Sequence, residues 1–305
     1  DPLCQAVEAA WANGIVVVTA AGNLGRNGYA TVLSPGNSPH AITVGAMKTE
    51  ETMSTSDDLI ASYSSKGPTF IDLTAKPDVV APGNLVVSLL APGSTLATEY
   101  PANVMPSSYY TTSTSGNSPA YFRLSGTSMA TPVVSGAVAL MLQKDPTLNP
   151  DTVKARIMKT AGKKFPLTSV AVDPTTGIAY PSTYDMFTVG AGYLNIEEAL
   201  ENYDRAYGSA ASPQVTYNSL QQMAYVVANP SLIWFSSPTW NTSVAWGTTT
   251  LQNTSAGPAI WDSSVAWGTS VAWGTSVAWG TTTPSGSSVA WGSSVAWGTS
   301  TQGEK

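Results

Sequence analysis

Cysteine and histidine are almost absent from this chain, which has one of each, Cys4 and His40. A single thiol cannot close a disulfide within the chain, so no disulfide framework holds the fold. Cys4 shares a helical face with Val7 and Trp11 and reads as a small buried apolar residue. Charge is also scarce: Asp, Glu, Lys and Arg make up 10% of residues, against about 25% in an average domain. The net charge is −6 with no basic cluster, which excludes nucleic acid as a partner. No apolar run reaches the roughly 18 residues of a membrane span. The carboxylates Asp57, Asp58 and Asp72 are scattered rather than spaced as ligands, so no metal site is expected. The chain opens on Asp1 with no signal peptide, and the expectation is that processing or an incomplete reading has removed what came before.

What is present is a globular composition, 43% hydrophobic, rich in Gly, Ser, Thr and Pro, which suits a secreted protein. Asp1 can cap a helix with Pro2 in its first turn and Gly14 as its stop. Ile15 to Ala20 is β-branched and apolar on both faces, as in a buried parallel strand, and it ends in A-A-G-N, Ala20 to Asn23. A second strand is predicted over Ala41 to Gly45, a polar turn over Tyr63 to Pro68, and a short strand in K-P-D-V-V-A-P-G, Lys76 to Gly83. Residues 92–122, rich in Ser, Thr, Tyr and Pro without period, read as a long surface insertion. Helical spacing runs from Thr127 to Gln143. A further helix starts at Asn149-Pro150-Asp151 and runs to Ala161, and a last one starts at Asn195, with Glu198 placed to close a capping box. Alternating strands and helices predict an α/β layered fold with a mostly parallel sheet.

The character changes after about Tyr203. Residues 204–240 read as a linker. Residues 241–305 read as a repeat tail, with V-A-W-G at Val244, Val265, Val271, Val277, Val289 and Val295. A spacing of six is even, so in an extended strand every Val and Trp would share one face. A weakly ordered low-complexity tail is the plainer alternative. Either way, the tail is a candidate for contact with a surface, a polymer or itself.

The most informative segment is Leu124 to Gly136, L-S-G-T-S-M-A-T-P-V-V-S-G. Ser128 follows Gly126 and Thr127 and opens an apolar helix. Glycine permits a tight turn and close approach of a substrate backbone. A helix N-terminus offers unpaired N–H groups and the positive end of the dipole, which would stabilise an oxyanion formed beside Ser128. Pro132 is expected in the early helix, where a missing N–H costs least. The plain alternative is that Ser128 only caps the helix, and that Asn23 only makes a turn.

G-T-S-M-A-T-P-V-V-S-G resembles the active-site serine motif of the subtilisin-like serine peptidases, a family with triad order Asp, His, Ser. The resemblance spans residues 1–203 and includes K-P-D-V-V-A-P-G and G-A-G-Y-L-N-I-E-E-A-L. It implies the C-terminal part of a three-layer subtilisin-like domain, with Ser128 as nucleophile and Asn23 completing the oxyanion hole. Ala20, Ala21 and Gly22 would wall the S1 pocket, and Gly126 and Thr127 would contact substrate. A protein or peptide substrate is implied and no cofactor is required. Structural calcium, where relatives bind it, would lie largely upstream.

The family's catalytic Asp and His precede A-A-G-N in glycine-rich motifs, and neither motif is present. His40, in N-S-P-H-A-I-T-V-G, lies before a predicted strand in no H-G-T-H-like context and reads as a loop or strand-edge residue. Without a base the serine hydroxyl stays protonated, so the chain as given is expected to be an inactive fragment. Val133 stands where many relatives carry a non-triad histidine. A second reading comes from another class: a non-catalytic surface-display or binding protein with a degenerate peptidase domain and a Trp-rich tail.

Overall fold

The computed structural model describes residues 1–112, 116–173, 176–218 and 223–241. The six V-A-W-G copies lie outside the described residues. The strands are β1 Val18–Ala20, β2 Ile42–Lys48, β3 Leu59–Ile60, β4 Val79–Pro82, β5 Val86–Leu89, β6 Val104–Pro106, β7 Asn117–Leu124, β8 Thr168–Val172, β9 Ala179–Thr183, β10 Val215–Asn218 and β11 Met223–Val226. The helices are α1 Pro2–Ala12, α2 Thr95–Glu99, α3 Thr127–Lys144, α4 Pro150–Thr160, α5 Met186–Val189, α6 Ile196–Glu201, α7 Ile233–Ser236 and α8 Pro238–Asn241.

The fold is α/β. Its central strand, β2, pairs in parallel with β1 (Val18 opposite Ile42) and with β4 (Val44 opposite Val79), and β3 joins its far end antiparallel. Every residue of β2 is buried, the behaviour of a strand covered on both faces. The sheet side chains Ile42, Val44, Val79 and Ala81 share one core with Ala130, Val134, Val138 and Met141 of α3 and with Val153 and Ile157 of α4. The helix ends follow the local chemistry read from the sequence. Asp1 Oδ1 accepts from Leu3 N–H (2.9 Å), Asn149 from Thr152 N–H (2.8 Å), and Asn195 from Glu198 N–H (3.1 Å). Cys4 is half-buried while Val7 and Trp11 are buried, and Trp11 Nε1 donates to Asp151 of α4.

Two segments differ from the sequence reading. The expected surface insertion over 92–122 carries α2, β6 and most of β7, and β5, β7 and β6 form a three-stranded antiparallel sheet in the order β5-β7-β6. Residues 204–240, expected to link, instead pack on the core. Trp234 (0% exposed) and Trp240 (1%) sit with Ala155, Met158 and Phe187, and Trp234 Nε1 donates to Ala211 C=O at 2.8 Å.

That docking is tied by a buried ion cluster. Asp78, at the foot of β4, lies between Lys76 Nζ (2.7 Å) and Lys154 Nζ (3.1 Å), all with fully buried side chains. Ser212 Oγ donates to Asp78 and accepts from Lys154 at 2.8 Å. Both ammoniums also donate to the Ala41 carbonyl, so each buried charge is hydrogen-bonded as burial requires.

Candidate active site

Two chain segments, 104 residues apart, meet at the end of the sheet. The first leaves β1. Ala21 is bound to its neighbours on both sides, through its N–H to Val44 C=O (3.0 Å) and its C=O from Leu33 N–H (2.9 Å). Gly22 turns at φ +108°, and a Cβ there would meet Leu33 Cγ and Ser65 Oγ at 2.9 Å, so only glycine fits. Ser65 fixes the turn from both sides, donating its N–H to Gly22 C=O and accepting Leu24 N–H on its hydroxyl, each at 3.0 Å. Asn23 follows, held half-buried.

The second segment is the connection from β7 to α3. Ser125 Oγ accepts from Leu85 N–H (2.8 Å), and Gly126 N–H donates to Gly83 C=O (2.8 Å). Gly83 is itself packed so closely that a Cβ would lie 2.7 Å from Ala46 Cβ and 2.9 Å from Gly126 O. These contacts lock the start of α3 against the ends of β2 and β4. The helix cap is Gly126, which has no side chain to cap with. The cap comes from across the site: Thr127 N–H donates to Asn23 Oδ1 at 2.9 Å, and Thr127 Oγ1 donates to the same oxygen at 3.0 Å. Thr127 Oγ1 in turn accepts Gly22 N–H at 3.1 Å.

With Oδ1 engaged twice, the orientation of the Asn23 carboxamide is fixed. Its Nδ2 lies 3.3 Å from where a Cβ on Gly126 would stand, so Gly126 leaves open the space in front of that donor. Ser128 is the second helical residue and half-buried, and its N–H belongs to the first turn, whose amides have no acceptor within a helix. Among the described residues neither Ser128 Oγ nor Asn23 Nδ2 has a hydrogen-bond partner. The structure thus brings Gly22, Asn23, Gly126, Thr127 and Ser128 together, with Ala20 and Ala21 leading in from β1. A hydroxyl beside two unpaired donors at the positive end of a long helix is an arrangement suited to acyl transfer.

Pro132 differs from its expected place. It is the sixth residue of α3, beyond the first turn, so its missing N–H leaves the Ser128 carbonyl without the usual donor from the next turn. His40 is half-buried, with its ring 6.4 Å from Trp11 and Nδ1 buried without a partner among the described residues. Burial first, then the Lys154 charge, pushes its pKa down. It makes no contact with the Asn23–Thr127 pair. A cavity of about 710 Å3 opens between α1 and residues 211–232, and neither Ser128 nor Asn23 lines it. Among the described residues no group of three or more His, Cys, Asp or Glu side chains is placed to hold a metal. Sequence reasoning named Thr127 as a substrate contact but missed its clamp on Asn23. It also missed Ser65 and the Lys76–Asp78–Lys154 cluster, for which the charged pair inside an otherwise apolar K-P-D-V-V segment was the available signal.

A serine at the start of a long helix whose neighbour Thr127 is bonded to an asparagine on a glycine turn, on a mostly parallel α/β sheet, is a site geometry for which comparison with known proteins supplies the family. The Peptidase_S8 family model, described as the subtilase family, matches residues 1–268. This chain belongs to the subtilase family. It is 46% identical over 165 residues to serine protease AprX of Bacillus subtilis (strain 168), covering 54% of this chain and 34% of that protein. To subtilisin DY of Bacillus licheniformis it is 34% identical over 200 residues, covering 65% and 52%. It therefore spans about a third to a half of the length of these curated relatives. Among solved structures it is similar to fervidolysin from Fervidobacterium pennivorans, a keratinolytic enzyme related to subtilisin, at 20% identity and TM-score 0.46 over 73% of this chain and 28% of that one.

Proposed function

We propose that the chain is the nucleophile-bearing C-terminal part of a secreted serine endopeptidase. Ser128 Oγ attacks the scissile carbonyl of a peptide. A histidine upstream of this sequence takes the hydroxyl proton and returns it to the leaving amine, and an upstream aspartate orients that histidine. The tetrahedral oxyanion is held by Asn23 Nδ2–H and the Ser128 backbone N–H, at the positive end of α3. Ala20, Ala21, Gly22, Gly126 and Thr127 line the substrate path. Acyl transfer here requires no cofactor. The observation that supports this reading is the double hydrogen bond from Thr127 to Asn23 Oδ1, which leaves the amide nitrogen of Asn23 as the unengaged end of the carboxamide, beside Gly126. The reading of secretion rests on the composition and on the family.

The test is hydrolysis of casein by the full-length protein, meaning this chain with its upstream segment, against Ser128→Ala. Turnover by the wild type, falling in the variant to the roughly 10³–10⁴-fold over water that a site without its nucleophile retains, is expected. Full activity in Ser128→Ala would remove the proposal.

The second reading, a display or binding protein whose working part is the Trp-rich tail, draws on the six V-A-W-G copies. The upstream coding sequence discriminates: H-G-T-H-like and D-S/T-G motifs support the enzyme, and their absence supports display.

A further inference from the structure

The turn that carries Asn23 is held by two hydroxyls, one on each side of that residue. Gly22 N–H donates to Thr127 Oγ1 at 3.1 Å, and Leu24 N–H donates to Ser65 Oγ at 3.0 Å. Thr127 also bonds the Asn23 side chain. Ser65 instead holds the backbone before and after it, because its own N–H donates to Gly22 C=O at 3.0 Å. Ser65 is fully buried, and its hydroxyl lies close against the turn, 2.9 Å from where a Cβ on Gly22 would stand.

The support behind Ser65 is the central strand. Just before it, the chain is pinned to one residue of β2: Ala61 N–H donates to Ala46 C=O, and Ala46 N–H donates to Ser64 Oγ, each at 3.0 Å. Ser64 is as fully buried as Ser65. Thr127 belongs to α3. The Asn23 turn is thus fixed to the sheet through Ser65 and to the helix through Thr127. The residues that follow have ties of their own. Gly25 N–H donates to Tyr63 C=O, and Arg26 Nε donates to Ser62 Oγ, each at 2.8 Å. Removing the Ser65 hydroxyl therefore frees the amide next to Asn23 while the rest of the loop stays attached. A catalytic donor has to be held to within about 0.5 Å of its productive place, so a restraint on the adjoining peptide bears on the chemistry.

We propose that Ser65 is a positioning residue for the oxyanion donor. It couples Asn23 to β2 through the Leu24 amide, and it governs kcat without touching substrate. The inference rests on the peptidase reading of Ser128 and Asn23.

The experiment is a double-mutant cycle between Ser65→Ala and Asn23→Ala in the full-length protein, followed on a short soluble peptide. Ser65→Ala alone should lower kcat by about 10- to 100-fold with KM little changed, the scale on which a misplacement of about 1 Å acts. In the Asn23→Ala background the same change should cost no more than about twofold, because the donor it positions is gone. Ser65→Cys keeps the shape but offers a weak acceptor. It should lower kcat by a smaller factor than Ser65→Ala, and it takes that variant's place in the cycle if Ser65→Ala fails to fold. Equal losses of kcat in both backgrounds, an unchanged kcat, or a loss confined to KM would overturn the inference. If the wild type cleaves no peptide, the peptidase reading falls and the positioning is read on its own. The probe is then the side-chain amide signal of Asn23 in full-length protein labelled with 15N-asparagine, identified by its absence in Asn23→Ala. A signal displaced or broadened in the Ser65 variant would retain the hold of Ser65 on Asn23, and an identical signal would sink that as well.

Discussion

Thr127 holds Asn23 by two hydrogen bonds to one oxygen, from its N–H at 2.9 Å and its hydroxyl at 3.0 Å. The contact does two jobs, capping α3 from a distant segment and fixing which end of the carboxamide stays unengaged. In the proposed mechanism the donor Nδ2–H meets charge only when the tetrahedral oxyanion forms, so its worth would appear in the transition state rather than in substrate binding. Asn23→Ala in the full-length enzyme is therefore expected to lower kcat by about 10²–10³-fold with little change in KM. This magnitude is the one known for the oxyanion asparagine of subtilisin, itself a member of this family. A loss confined to KM would mean that Asn23 shapes the pocket instead.

Thr127 itself is fully buried. Thr127→Val keeps the shape but removes the hydroxyl that donates to Asn23 and accepts Gly22 N–H. Leaving that amide unpaired should cost about 1–3 kcal/mol of stability, and a freed Asn23 should lower kcat as well. Thr127→Ser retains the hydroxyl and should retain most of both. Denaturant melts and steady-state kinetics on the pair of variants check this, and equal behaviour of Val and Ser would contradict the clamp.

The buried cluster predicts how stability varies with pH. Asp78 is one carboxylate between two ammoniums, so burial, outweighing its pull, drives Lys76 down to about 7. Lys163, half-buried and with no carboxylate partner among the described residues, falls to about 8 through desolvation. In the unfolded chain both stay protonated up to the ordinary lysine range near 10.5. Between pH 7 and 9 the unfolded state thus binds more protons, and stability should rise with pH. Urea midpoints of the full-length protein should increase from pH 7 to pH 9, with a flatter slope in Lys76→Met. A falling midpoint across this window would contradict the assignment.

The border between core and tail follows from Trp234 and Trp240, which are buried against Met158 and Phe187. Cutting after Ala206 would strip this cover, and Trp234→Ala alone should cost about 3–5 kcal/mol. Cutting after Asn241 keeps both buried tryptophans and removes all six V-A-W-G copies, so hydrolysis of a short soluble peptide should persist while retention on cells or insoluble substrate falls. Lost peptide turnover in a folded protein truncated at Asn241 would refute that division.

What could be read in advance was local chemistry. Asp1 and Asn195 cap their helices as read, and the helix expected from Asn149 is capped by that residue, because a cap is settled within three residues. The start of α3 at Thr127, just after Gly126, was legible because a glycine turn into an apolar helix is settled by neighbouring residues. The β5-β7-β6 sheet was hidden because Ser, Thr and Tyr alternate with no apolar period, and its order depends on pairing between distant strands. The packing of residues 204–240 was hidden for a related reason: two buried tryptophans hold it, and two side chains make no period. The Asn23–Thr127 clamp and the Asp78 cluster join residues far apart in sequence, where spacing carries no signal.

The most direct test is labelling with a fluorophosphonate probe, followed by peptide mapping, on the full-length protein and on residues 1–305 alone. The probe reacts only with a serine whose hydroxyl proton is removed by a neighbouring base. Stoichiometric labelling at Ser128 in the full-length protein, with none in the isolated chain, is the expected result. Labelling at another serine, no labelling of the full-length protein, or full labelling of Ser128 in the isolated chain would contradict a peptidase whose nucleophile is here and whose base lies upstream.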